Sequence, residues 1–91
     1  VLIQEQAPEV FASFAISYDQ GHQGLQLHTD DSIYTINLCL QSSAKGNEVV
    51  FNEMISVDPI EDFALIHSGK IPHHTNELTE GERVNIVFWF K

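Results

Sequence analysis

Phe14, Ile16 and Tyr18 alternate with Ser13, Ala15 and Ser17. A two-residue period is that of a strand with one buried face, and strand-like runs recur along the chain with no sustained helical spacing. Asp19-Gln20-Gly21-His22-Gln23-Gly24 is polar and holds two glycines, so it reads as a hairpin connection. Leu25 to Leu27 leads into His28, and Ser32 to Leu40 is a long β-rich run. Gln41 to Asn47 reads as a turn, Glu48 to Phe51 as a short strand, and about Asp62 to His67 as another, broken by Gly69. A short element around Ile71 to His73 precedes a polar loop through Gly81, and Arg83 to Phe90 is the last strand. Only the first ten residues offer the start of a helix, and Pro8 limits it. Seven to eight closely spaced strands without an internal repeat predict an all-β sandwich or barrel.

A length of 91 residues allows one domain, spanning residues 1–91, with limited buried surface. A ligand or a further segment is expected to help hold it, and we expect the chain to be the core of a longer protein. With 43% hydrophobic residues the composition is that of a globular domain. Cys39, the single cysteine, cannot form an internal disulfide. Its apolar setting favours a reducing compartment, and the expected location is cytoplasmic. No apolar stretch approaches the length of a membrane span. Thirteen acidic residues against four basic ones give a formal charge of −9, and Lys45, Lys70, Arg83 and Lys91 are scattered. Nucleic acid needs clustered cations and is excluded as the expected partner. The acidity reads as a soluble, self-repelling surface.

His28-Thr29-Asp30 stands at a strand end. Residues two apart on a strand share a face, so an imidazole and a carboxylate there can share one cation. A third ligand from elsewhere would complete the two-histidine, one-carboxylate set that binds non-haem Fe(II) and leaves positions open. His-x-Asp alone more often means a solvated turn. What strengthens it is the C-terminal third, where His73 precedes Arg83, the only arginine, by ten residues across one polar loop. Two adjacent antiparallel strands joined by that loop would bring the two together. A guanidinium at the start of an apolar strand costs free energy unless an anion satisfies it. A dicarboxylate that chelates a metal at one end could supply that anion bidentately at the other.

Five motifs stand in order here: His28-Thr29-Asp30, Thr35-Ile36-Asn37-Leu38-Cys39-Leu40, Gly46-Asn47-Glu48-Val49-Val50-Phe51, Gly69 through His73, and Gly81 through Ile86. In that order the chain resembles the 2-oxoglutarate/Fe(II) dioxygenases of the prolyl 4-hydroxylase-like group, over nearly its whole length. The resemblance implies a double-stranded β-helix (a cupin-like jelly roll) and iron bound by His28, Asp30 and His73. It places the distal carboxylate of 2-oxoglutarate on Arg83, with Tyr18 and Thr35 as further candidates beside the co-substrate. It implies O2 as oxidant, ascorbate as a candidate accessory reductant, and hydroxylation of a peptide or protein side chain, prolyl or lysyl, with a small-molecule hydroxylase as the alternative. Two positions depart from the pattern. Asn47 replaces the second glycine of the turn, and Cys39 stands where some relatives have a co-substrate-binding tyrosine.

Each assignment has a plainer alternative. His74 is the rival ligand to His73, but strand neighbours face opposite ways, and spacing to Gly69 and Arg83 favours His73. His22 and His67 read as a loop residue and a strand-end residue without a chemical role, and Trp89 with its Phe neighbours as core. Tyr18 is otherwise a core tyrosine, Thr35 an ordinary strand former, and Arg83 a surface partner of Glu80 or Glu82. Rival functions are a non-catalytic β-helix binding module and a cupin-type metal enzyme that uses no 2-oxoglutarate.

Overall fold

The computed structural model describes residues 10–91, and the helix start expected before Val10 lies outside them. The described residues form ten strands and no helix. These are β1 (Val10–Tyr18), β2 (Leu25–His28), β3 (Tyr34–Ser42), β4 (Lys45–Gly46), β5 (Val49–Phe51), β6 (Ile55–Val57), β7 (Ala64–Ser68), β8 (His73–Thr75), β9 (Leu78–Glu80) and β10 (Arg83–Phe90). The all-β expectation holds. The count exceeds seven to eight because β4 and β9 pair with each other inside stretches that read as a turn and a loop.

Two four-stranded antiparallel sheets carry the fold, ordered β1-β10-β3-β7 and β2-β8-β5-β6. Consecutive strands are mostly not partners. β1 lies against β10 while β2 lies against β8, so Asp19–Gly24 closes no hairpin and instead hands the chain from one sheet to the other. Its tight turn is held by paired backbone bonds between Asp19 and His22 and by the Asp19 carboxylate, which accepts from the Gly21 and His22 N–H groups. The loop from His73 to Arg83 likewise spans the two sheets, because β8 and β10 belong to opposite ones. His73 and Arg83 are therefore not on adjacent strands, as the spacing alone had implied.

Alternation along β10 runs against hydrophobicity. Arg83, Asn85 and Val87 point inward and are buried, whereas Val84, Ile86 and Phe88 on the other face are half-buried. Trp89 lines an interior cavity, while Phe88 and Phe90 lie on the outer face, so this aromatic run is not the core it was expected to be. Among the described residues the buried apolar side chains are few: Tyr18, Cys39, Val49, Phe51, Leu78 and Val87. A domain of this size gains little from so few side chains, and polar cross-links supplement them. Asn47 is one. Its backbone adopts φ 68°, the left-handed conformation a glycine would take and that asparagine tolerates. Its fully buried side chain donates to the carbonyls of Gln23 and Asn76, both at 3.0 Å. The departure from glycine thus keeps the turn and ties three segments together.

Gly69 is a second anchor. Its carbonyl accepts from the Asp30 N–H at 2.9 Å and its N–H donates to the Ile33 carbonyl at 3.1 Å, clamping the loop that carries Asp30. A Cβ at this position would clash with the Ser32 hydroxyl and with the Ser32 carbonyl oxygen. Gly69→Ala should therefore destabilise the chain by about 1–3 kcal/mol through overpacking. Chemical denaturation checks this, and an unchanged midpoint would mean the clamp is looser than these contacts imply.

Candidate metal centre and carboxylate site

β2 and β8 pair so that His28 stands directly opposite His73, with ring centroids 4.4 Å apart. That register joins two histidines forty-five positions apart in sequence. β2 ends at His28, so Asp30 does not reach the same face by strand alternation. It lies on the loop beyond, held there by Gly69. Its Oδ1 lies 3.4 Å from His28 Nε2 and 3.3 Å from His73 Nε2, and the three groups' ligand atoms fall within 4.8 Å of one another.

The protein fixes the form of each ring. His28 Nδ1 lies 2.7 Å from the Gln26 carbonyl and His73 Nδ1 lies 2.8 Å from the Ile71 carbonyl. A carbonyl only accepts, so both Nδ1 atoms carry the proton and both Nε2 atoms turn a lone pair toward Asp30. On the far side of the carboxylate, Thr35 Oγ1 donates to Asp30 Oδ2 at 2.7 Å. Thr35 has then spent its proton, so the Ser32 hydroxyl at 2.8 Å must donate to it. This is the outer support that orients ligands in metal sites. Asp30 and His73 are buried and His28 is partly open to solvent. Three acceptor atoms thus meet with no protein donor between them, an arrangement that a divalent cation satisfies and a tight apolar core does not.

Ionisation follows the same logic. Burial pushes the Asp30 carboxyl up, but the contacts with His73 and Thr35 and the nearby imidazoles outweigh it and hold the group below its ordinary value. Burial pushes the His73 imidazole down, and the Asp30 and Ile71 contacts reverse this and raise it.

The triad lines a cavity of about 210 Å³ between the sheets. His67, dismissed from sequence, also lines it. The side chain is 7% exposed, packs against Phe51 and His73, and its Nε2 lies 3.9 Å from Asp30 Oδ2. Strand alternation held the signal, because Leu65 and His67 share a face while Ile66 points out and is 66% exposed. His74 behaves as expected of a residue outside the cluster, with its Nε2 bonded to Asn76 Oδ1 at 3.0 Å. His22 is exposed.

Arg83 is 1% exposed, and its Nε and Nη1 have no hydrogen-bond partner. Among the described residues no carboxylate pairs with it, and Glu80 bonds Lys45 instead. Cross-strand pairing sets Tyr18 beside it, with the guanidinium 4.6 Å from the ring centre. Burial pushes the Tyr18 phenol up, offset in part by Thr75 and by the Arg83 charge. Arg83, Asn85, Cys39 and Asn37 line a second cavity of about 130 Å³. Asn37 and Val49 border both cavities, so the two adjoin. A buried cation lacking an anion, reached from a cluster of acceptors lacking a cation, has the polarity of a site for a metal-chelating acid.

Comparison with known proteins agrees. Residues 5–91 match the sequence profile of the 2OG-Fe(II) oxygenase superfamily. Two Arabidopsis thaliana proteins, the 2-oxoglutarate and iron-dependent oxygenase domain-containing proteins CP2 and ICU11, are 29% identical over 92 residues and 26% identical over 80 residues. These alignments take in 84% and 71% of this chain but only 23% and 20% of the two relatives, so the chain spans about a quarter to a fifth of their length. The crystal structure of an oxidoreductase of the 2OG-Fe(II) oxygenase family from Burkholderia pseudomallei superposes with a TM-score of 0.86 at 13% identity. It covers 97% of this chain and 47% of that one, a likeness that shows the jelly-roll fold. With the family profile matched along nearly its full length, the chain belongs to the 2OG-Fe(II) oxygenase superfamily, a family of oxidoreductases that take Fe(II), 2-oxoglutarate and O2.

Proposed function

We propose that this chain is the catalytic core of a 2-oxoglutarate-dependent hydroxylase, with Fe(II) held by His28, Asp30 and His73 and the distal carboxylate of 2-oxoglutarate held by Arg83. The observation that carries this reading is the paired deficit of the interior. Two Nε2 lone pairs and a carboxylate oxygen converge without a cation, and the guanidinium beside the adjoining cavity lacks an anion. One co-substrate bound to one metal answers both. Fe(II) with 2-oxoglutarate and O2 supplies the oxidation of a substrate C–H bond, coupled to decarboxylation of the co-substrate to succinate.

The chain's own residues position and exclude. The Gln26 and Ile71 carbonyls keep the His28 and His73 lone pairs on the site. Thr35, with Ser32 behind it, holds the Asp30 carboxylate, so its hydroxyl serves the ligand rather than the co-substrate. Tyr18, stacked against the guanidinium and buried with it, is the better candidate for a co-substrate contact. The dry setting strengthens the ion pair a carboxylate would form with Arg83.

For the primary substrate we favour a peptide or protein side chain, prolyl or lysyl, as the motif order resembling prolyl 4-hydroxylases suggests. A small-molecule hydroxylase is the alternative, and ascorbate is a candidate accessory reductant. Scattered basic residues and a charge of −9 argue against a nucleic-acid substrate for this chain.

His73→Ala should abolish stoichiometric iron binding, while His74→Ala should leave it within about twofold, because the latter removes only a contact to Asn76. Metal analysis of the two purified variants decides, and the reverse result would reassign the ligand. Arg83→Ala should raise the 2-oxoglutarate concentration needed for half-saturation by about a hundredfold, the scale of a lost charged contact. An unchanged requirement would make Arg83 structural and favour a cupin-type enzyme that uses no 2-oxoglutarate.

A further inference from the structure

Cys39 takes no part in the arrangement described so far, yet it lines the same cavity as the Arg83 guanidinium. Cross-strand pairing sets it opposite Asn85, which shares the inner face of β10 with Arg83. The residue is buried, and its thiol makes only a weak contact, 3.9 Å from the Gln41 carbonyl. Arg83 is buried too, and among the described residues its Nε and Nη1 have no acceptor. Ile60 and Phe63, both largely exposed, line this cavity as well, so it reaches solvent on their side. The Cys39 backbone is tied to that rim. Its N–H donates to the Phe63 carbonyl at 3.1 Å, and its carbonyl accepts from the Asp62 N–H at 2.8 Å. A nucleophilic sulfur therefore stands at a fixed place in one cavity with a buried cation and a way to solvent.

We propose that Cys39 and Arg83 together form a modification site for a small carboxylic acid carrying an electrophilic carbon, an α,β-unsaturated acid being the class that needs no further reagent. The guanidinium takes the carboxylate, and the thiol adds to the carbon held beside it. The S–C bond forms as the C=C π bond opens, and the proton shed by sulfur ends on the adjacent carbon. Nothing is oxidised or reduced. Burial holds the thiol above its ordinary value, while the Arg83 charge works the other way. A neutral reagent arriving by diffusion therefore meets few thiolates, and the rate depends on a reagent being held in place. Asp58 lines the cavity at an exposed position, and Glu61 and Asp62 are near enough to oppose the thiolate. A carboxylate gains nothing from those acidic groups and is retained by Arg83 alone. The proposal rests on the reading of Arg83 as a carboxylate site given above and adds regulation to it. An adduct on Cys39 would fill the space before the guanidinium and keep 2-oxoglutarate out.

Iodoacetate and iodoacetamide carry the same leaving group and differ in charge, and the neutral amide is the faster reagent toward an ordinary thiol. Each is added over a range of concentrations to the full-length protein loaded with Zn(II), at an ionic strength that screens the surface charge. Sulfur displaces iodide, its proton goes to solvent, and mass spectrometry of the peptide carrying Cys39 follows the alkylation. Iodoacetate should label Cys39 faster by about tenfold or more, the scale of a charged hydrogen bond. Its rate should saturate, and succinate, which is unreactive but bears the carboxylate, should suppress it. Arg83→Gln should return the preference to iodoacetamide and remove the effect of succinate. Three results in the unsubstituted protein would each overturn the proposal: no labelling by iodoacetate, faster labelling by iodoacetamide, or iodoacetate labelling that succinate leaves unchanged. Calorimetric titration of the same Zn(II)-loaded protein with 2-oxoglutarate separates the layers. If 2-oxoglutarate binds, and Arg83→Gln loses that binding, while iodoacetate shows no preference, the modification site alone is wrong. If 2-oxoglutarate does not bind and iodoacetate shows no preference, the carboxylate reading of Arg83 fails and this proposal with it.

Discussion

Electron-pair donors buried together repel unless something positive sits among them, and the interior of this chain is arranged around such a meeting. Each of the three groups is aimed by a separate backbone contact: Gln26 for His28, Ile71 for His73 and Gly69 for Asp30. Those contacts come from three parts of the sequence that meet only when β2 pairs with β8 and β7 runs along β3. A stable sandwich needs none of this, since well-packed apolar residues would serve at least as well. On the proposed reading a bound metal would remove a repulsion the fold itself creates, which would couple folding to ligand binding.

The same demand explains why hydrophobicity runs the wrong way along β10. On the proposed reading an interior that holds an acid has its cation inside, which accords with Arg83 and Asn85 being buried while the apolar alternates Val84, Ile86 and Phe88 face outward. On β3 the inward set is likewise Thr35, Asn37 and Cys39, and Asn85 donates to Asn37 across the sheet. The polar ladder Asp30, Thr35, Asn37, Asn85, Arg83 runs the length of the cavities, with the orphaned guanidinium at one end. Uncompensated buried polar groups of this kind persist in proteins where a ligand completes them.

Strand positions were legible because alternation and turn residues are local properties. β1, β3, β7 and β10 lie close to where the pattern put them. Pairing was not legible, since it depends on which distant edge each strand meets; Asp19–Gly24 has the composition of a hairpin turn yet links opposite sheets. The convergence of His28, Asp30 and His73 followed from motif order, but the stated reason for the first pair was incomplete, as the strand ends at His28 and a loop places Asp30. His67 was missed because a histidine at a strand end carries no local mark of facing a site, although its shared face with Leu65 pointed inward. Asn47 shows the opposite case. Its substitution for glycine keeps a left-handed backbone conformation and adds two cross-links.

The most direct measurement is an anaerobic titration of the chain with Fe(II) and then 2-oxoglutarate, followed by visible absorption. If His28, Asp30 and His73 hold iron with room for a bidentate acid, a metal-to-ligand charge-transfer band should grow only when both are present and saturate at one iron per chain. Iron that fails to bind, or that binds without any band on adding 2-oxoglutarate, would contradict the assignment of this interior as an oxygenase site.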